Sequence, residues 1–171
     1  MSDTLEIGVG PLPVAATGLL ARERSLAAPG FNRWLVPPAA LCIHLCIGMA
    51  YGFSVFWLPM THLLAAESGA CAKIGFIAAL TTTTCNWSVP QVTHVFETFI
   101  AMLGISAAIW GGWLEHAGPR KGGFIAALCW GGGLVLGGVG VMTHQLWLLY
   151  LGCGVLGGVG QGIGYITPVS T

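Results

Sequence analysis

Four stretches of this chain carry no Asp, Glu, Lys or Arg: Trp34 to Ala66, Ile74 to Phe96, Thr98 to Leu114 and Gly122 to Thr171. An uncharged apolar run of about 20 residues matches the thickness of a bilayer's hydrocarbon core, ~30 Å. One charge at mid-bilayer costs roughly 2.5–3.5 kcal/mol on insertion scales, which is why such runs stay free of charge. Composition agrees, with 7% charged residues where soluble domains carry about 25%. A surface folded in water needs those charges. The expectation is an all-α, polytopic transmembrane bundle with about four spans.

The first span is expected over 34–58. Trp34 sits where an interfacial aromatic belongs, Pro37 and Pro38 fall in the first turn, and Phe56, Trp57 and Pro59 mark the exit. A second span follows over 93–114, with Glu97 near its outer end. The last 50 residues are uncharged, and as one helix they would reach about 75 Å, so they must fold back. Thr143-His144-Gln145 is the clearest polar break, giving spans over 123–142 and 146–166. Between the second and third spans, Glu115 to Lys121 reads as a polar loop.

Residues 62–92 read as an outer loop, with an apolar piece at Ile74 to Leu80 and a polar run at Thr81 to Asn86. Asn86-Trp87-Ser88 fits a glycosylation sequon. Cys71 and Cys85 both fall in this loop, where a disulfide could form. Residues 1–32 read as a disordered tail without the pattern of a cleaved signal peptide. Arg22, Arg24, Arg33, Arg120 and Lys121 lie on one side of this topology and Lys73 alone on the other. That asymmetry puts the N-terminus in the cytoplasm; the membrane expected for this multi-pass protein is a bacterial inner one.

Several function classes drop out. A formal net charge of zero offers nothing to nucleic acid. Cys42, His44 and Cys46 do not read as a metal site, because i and i+4 share a helix face while i+2 points away. Gly152-Cys153-Gly154-Val155-Leu156-Gly157 matches a dinucleotide fingerprint, but no strand precedes it and no acid follows about 20 residues on. No cofactor or metal is expected. Fifteen of the 27 glycines fall between residues 122 and 164. Gly133/Gly137, Gly154/Gly158 and Gly160/Gly164, each spaced four apart, put small faces on the third and fourth spans for close packing.

Gly111-Gly112-Trp113-Leu114-Glu115-His116-Ala117-Gly118-Pro119-Arg120-Lys121 resembles the loop between helices two and three of major facilitator transporters. Glu stands where that pattern has Asp, His116 where it has a basic residue, and Pro119 at its first Arg. Gly111 would permit a close helix crossing and Gly118 a left-handed turn, while Glu115 could pair with Arg120. Arg33 to Ala40, Gly48 to Phe56, Ala107 to Trp113 and Gly162 to Thr171 are similar to the oxalate:formate antiporter branch. The resemblance covers about 31–171 and implies twelve helices in two halves, alternating access and small organic carboxylate anions as substrates. It makes 33–171 the N-terminal part of a transporter domain, one three-helix repeat and the first helix of the next. The missing C-terminal half would then be a partner, supplying the cations that meet the carboxylate.

Tyr51, Gln161 and Tyr165 are the candidate substrate path, since a Tyr hydroxyl needs a partner that lipid does not supply. Gly111, Glu115, Gly118, Arg120 and Lys121 are the candidate conformational motif. The alternative is a complete four-helix membrane protein, a small exporter or assembly subunit; proton-coupled exporters of that size need an intramembrane carboxylate, and the first span has none. A membrane enzyme would need convergent groups, and only His44, His62, His94 and Glu97 are on offer. The topology is open to test with an impermeant thiol reagent. Cysteines introduced at 66–90 and 144 should react from outside and those at 20 and 118 should not; labelling at 118 would overturn the assignment.

Overall fold

The structure is a computed structural model that describes residues 18–21, 27, 29–64 and 74–169. Among these, every regular element is helical. Four helices are long and apolar enough to cross a membrane: α1 (Arg33–Met60), α3 (Val89–Ala117), α4 (Pro119–Met142) and α5 (Leu146–Val169). A short helix, α2 (Phe76–Thr81), lies between the first two. Most of the expected N-terminal tail lies outside the described residues, as does Cys71, the expected partner of Cys85; Cys85 is disulfide-bonded.

The helices run past the expected ends for local reasons. α3 begins at Val89 rather than 93 because Ser88 and Gln91 form a reciprocal capping box, with the Ser88 N–H donating to Gln91 Oε1 at 2.9 Å. α4 begins at Pro119 rather than 123, where proline removes an N–H that the first turn does not use. The expected loop over 115–121 therefore shrinks to one residue. Glu115 to Ala117 finish α3, Pro119 to Lys121 open α4, and only Gly118 stands between them. Polarity marked a membrane exit there, not an end of helix.

Glycine decides the packing, with α5 in the middle. Of its membrane-crossing stretch 56% is buried, against 6% for α1 and 22% for each of the other two. One face of α5 meets α4: a Cβ added at Gly152 would lie 2.5 Å from the Gly137 nitrogen, and one at Gly160 would lie 2.5 Å from the Trp130 nitrogen. A second face meets α3, where a Cβ at Gly158 or at Gly162 would fall 2.6 Å from the carbonyl oxygen of Phe99 or Leu103. The Gly154/Gly158 pair thus continues to Gly162 and faces α3, while Gly133/Gly137 faces Gly152 and Cys153. Gly164 leaves ordinary space, 3.5 Å to the Ala126 Cβ. The Ser106 hydroxyl adds a tie, donating to Leu103 O at 3.0 Å and lying 3.4 Å from Val159 O.

At the end of the bundle that holds Met60, Val89, Met142 and Leu146, the connecting segment folds into a cap. Ala79 and Trp87 are buried there with Val92, Val95, Leu146 and Leu149. His144 makes the α4–α5 turn with φ 53°, stacks on Trp87 at 4.5 Å and donates from Nε2 to Cys85 O at 2.6 Å. Asn86 is buried, taking the Leu64 N–H at 2.8 Å and donating to Leu64 O at 3.0 Å. The sequon residue is therefore a strut of the cap, where a glycan has no room. Burial of His144 also makes the exposed Thr143 the better thiol position at this turn.

The glycine contacts predict a contrast. Gly160→Ala should lower the stability of the detergent-solubilised bundle by about 1–3 kcal/mol through overpacking against the α4 backbone. Gly138→Ala, where a Cβ meets nothing within 4 Å, should leave it unchanged or slightly raised. Equal thermal midpoints for the two variants would show that backbone contact along α5 is not what holds the bundle.

Candidate functional site

Two of the four spans are not regular α-helices. α1 changes from α-helix over Val36–Gly48 to a 3-10 helix over Met49–Phe56 before a last α-turn. α5 carries a π-helical segment over Tyr150–Leu156. Both interruptions lie in the half of the bundle nearer the cap. They meet there: Ala50 and Phe53 of α1 and Cys153 of α5 line one apolar pocket with Val95, Phe99 and Trp130. Mid-helix departures of this kind free carbonyls from their regular partners, and in lipid those carbonyls need another donor.

Gln161 supplies such a donor. Its Nε2 donates to Ile47 O at 3.1 Å, one residue inside the α-helical end of α1's first segment. The side chain is 1% exposed, and its Oε1 has no partner among the described residues. One turn toward the Gly118 end, the His44 ring packs edge-on against Tyr165, with centroids 5.4 Å apart and planes at 72°. His44 Nδ1 lies 2.9 Å from Ala40 O. The pairs His44–Tyr165 and Ile47–Gln161 run in opposite numerical directions, as an antiparallel crossing requires. Three polar side chains are therefore gathered where α1 crosses α5, in a bundle whose other surfaces there are apolar.

The sequence-based candidates divide accordingly. Gln161 and Tyr165 share a face of α5 and meet α1. Tyr165 is 45% exposed, on the rim of the crossing rather than within it. Tyr51 sits in the 3-10 segment, 58% exposed, and joins neither. His44, named from the sequence only among scattered groups, belongs to the cluster. Its signal was available: it is a titratable group in an otherwise uncharged span.

The conformational motif centres on Gly118, at φ 86° and ψ 158°. That is not the left-handed helical region expected for a turn but an extended one reached almost only by glycine. It lets a single residue end one helix, its N–H on Leu114 O at 2.9 Å, and start the next, its carbonyl accepting from Gly122 N–H at 3.2 Å. Leu114 then packs directly over Gly122. Glu115 and Lys121 are exposed, and Arg120 donates from Nη1 to Leu19 O at 3.3 Å rather than to Glu115. Among the described residues the only ion pair is His94–Glu97 at 2.7 Å, on the exposed side of α3 near the cap. Gly111 faces open space, so no crossing forms on it here. No group of His, Cys, Asp or Glu among the described residues could hold a metal ion.

No protein-family model, curated protein or solved structure matches this chain. The junction makes its own prediction. Gly118→Ala should lose about 1–3 kcal/mol from backbone strain alone, while Gly123→Ala, five residues on and in open space, should lose none. Thermal melts followed by circular dichroism decide it; coincident midpoints would remove Gly118 from any special role.

Proposed function

We propose that this chain is part of a secondary transporter that moves small carboxylates, of the oxalate, formate or monocarboxylate kind, across a bacterial inner membrane by alternating access. The N-terminus is cytoplasmic in this reading, and the chain carries its substrate without altering it. The observation that supports it most is the paired interruption of α1 and α5. Transporters bind substrate between discontinuous helices at the interface of two repeats. In this reading α1 opens one three-helix repeat and α5 the next. α3 and α4, 29 and 24 residues long, run unbroken between them.

A polar cluster where α1 crosses α5, on the Gly118 side of these interruptions, gives the reading its chemistry. Polar side chains at membrane depth are costly, and they mark pathways more often than packing. Gln161 and Tyr165 are four apart, close enough to contact the two oxygens of one carboxyl group. Tyr51, exposed on the cap side of Ile47, would join the path only by turning inward as α1 moves. α1 is also the span held least by its neighbours, so it is free to shift against α5 while α3, α4 and α5 stay locked by glycine contact. The Gly118 junction keeps α3 and α4 together as one body during that shift.

Tyr51→Phe and Tyr165→Phe in the full-length protein should each weaken carboxylate binding by about 0.5–1.5 kcal/mol, the net contribution of one neutral hydrogen bond. Calorimetric titration in detergent measures it. Unchanged affinity in both variants, at unaltered expression, would reduce these tyrosines to packing residues.

A further inference from the structure

Residues 83–87, between α2 and α3, lie outside any helix, so their course is set by what their side chains and carbonyls hold. Three consecutive residues reach different parts of the bundle. The Cys85 carbonyl accepts from His144 Nε2 at 2.6 Å, at the turn between α4 and α5. Asn86 takes the Leu64 N–H at 2.8 Å and donates from Nδ2 to Leu64 O at 3.0 Å, just past the end of α1. Trp87, 3% exposed, stacks on the His144 ring with the planes at 12°. Ser88 then caps α3. Residues 85–87 are thus a strap from the exit of α1 to the α4–α5 turn.

A strap needs an anchor at each end. On the α3 side the anchor is the capping box. On the other side it is covalent, because Cys85 is disulfide-bonded. Cys85 is only half-buried and follows the exposed Thr83 and Thr84, so a thiolate can reach the bond from water. Cys42, Cys46, Cys129 and Cys153 are free thiols that a reductant leaves as they are. The disulfide lies at the cap end, the outer side in the topology expected from charge, where such bonds persist. What the strap carries is α1. Trp57 and Met60, at the end of that helix, pack on the cap core to which Trp87 belongs, and Asn86 then holds Leu64 by both backbone atoms.

We propose that the Cys85 disulfide is a redox latch on α1. Oxidised, it fixes residue 85, keeps Asn86 and Trp87 seated and holds the cap end of α1 to the α4–α5 turn. A dithiol reductant on that side opens it. One thiolate attacks the disulfide, the displaced sulfur takes up a proton, and the second reductant thiol closes on the first. Two electrons and two protons pass to the protein, which gains two thiols, and the reductant leaves as a cyclic disulfide. The strap then has no covalent anchor before Asn86, and the cap end of α1 parts from the locked unit of α3, α4 and α5. The latch concerns the movement of α1 and stands apart from the identity of any substrate.

Amide hydrogen exchange, followed by mass spectrometry on the full-length protein in detergent, reads the latch. Thr61, His62 and Leu64 carry the reporting amides, bonded to Trp57 O and Leu58 O, to Pro59 O and to Asn86 Oδ1. A small dithiol should speed exchange there about tenfold or more, as for a segment that opens locally, and leave residues 152–162 of α5 unchanged. Reoxidation with a small disulfide should restore the slow rate. Cys85→Ser should exchange like the reduced protein with no dithiol added. Asn86→Ala, with the disulfide intact, should exchange fast at Thr61 and His62 before reduction and show no further change after it. Unchanged exchange over 61–64 on reduction would overturn the latch. So would faster exchange throughout α5, which would make the bond a staple of the whole fold, or a redox response that Asn86→Ala leaves in place. The comparison of oxidised with reduced wild type decides even if Cys85→Ser does not fold.

Discussion

Direct backbone contact along α5 is the interaction on which the rest of this bundle depends. In lipid there is no hydrophobic drive between helices, so association relies on close van der Waals packing and a few hydrogen bonds. Gly152 and Gly160 bring α5 against α4, and Gly158 and Gly162 bring it against α3, with no room for a Cβ at any of the four. In water such a glycine content would weaken the helix by about 1 kcal/mol per residue relative to alanine. In the bilayer the unbonded backbone has no solvent to turn to, and the helix persists. α5 can therefore serve two neighbours at once, and α3, α4 and α5 become one rigid unit.

That solution leaves α1 out. α1 meets α5 through side chains, and large residues such as Leu41, Leu45, Val55 and Leu58 stay exposed along it. Its junction with the unit is made by one amide hydrogen bond, one ring contact and, toward the cap, the apolar packing of Ala50, Phe53, Trp57 and Met60. The change from α to 3-10 geometry at Met49 falls next to that bond. A three-helix unit locked by glycine and a fourth helix with its own discontinuity form a natural pair of bodies for relative motion. The rigidity of the one and the looseness of the other have a common origin: the α5 glycines that leave no room for a Cβ face α3 and α4, whereas Gly164, toward Ile47 of α1, has ordinary space around it.

Much of the fold was legible in the sequence because membrane insertion is dictated by charge. The scarcity of Asp, Glu, Lys and Arg marked the apolar stretches from which four spans were read, the second of them across Glu97, and Thr143-His144-Gln145 located the last turn. Helix ends were harder, because an apolar run records where lipid begins and not where hydrogen bonding stops. The capping box at Ser88 and Gln91 was readable but is a signal of helix chemistry, separate from hydropathy. The 115–121 segment was read as a loop because it is polar, yet Pro119 is suited to a first helical turn and Gly118 alone can make the junction. Glycine spacing revealed the faces, but not that Gly154 and Gly158 would turn to α3. In the site, the i, i+4 relation of Gln161 and Tyr165 was legible. The partner of Gln161 was not, because every carbonyl of α1 can accept and the sequence does not say which of them α5 will face.

Gln161 also shows why a polar residue at membrane depth need not be mere glue. Hydrogen bonds between helices in bilayers average about 0.6 kcal/mol, since the separated helix finds other partners. A side chain selected only to tie α1 to α5 would do so weakly, and burying an unpaired amide oxygen carries a cost of about 1–3 kcal/mol. The amide at 161 thus spends more on its free end than its bound end returns. A leucine there would pack without that penalty, as would a methionine. Packing alone therefore does not account for an amide at this position. The same imbalance keeps the crossing of α1 and α5 shallow in energy.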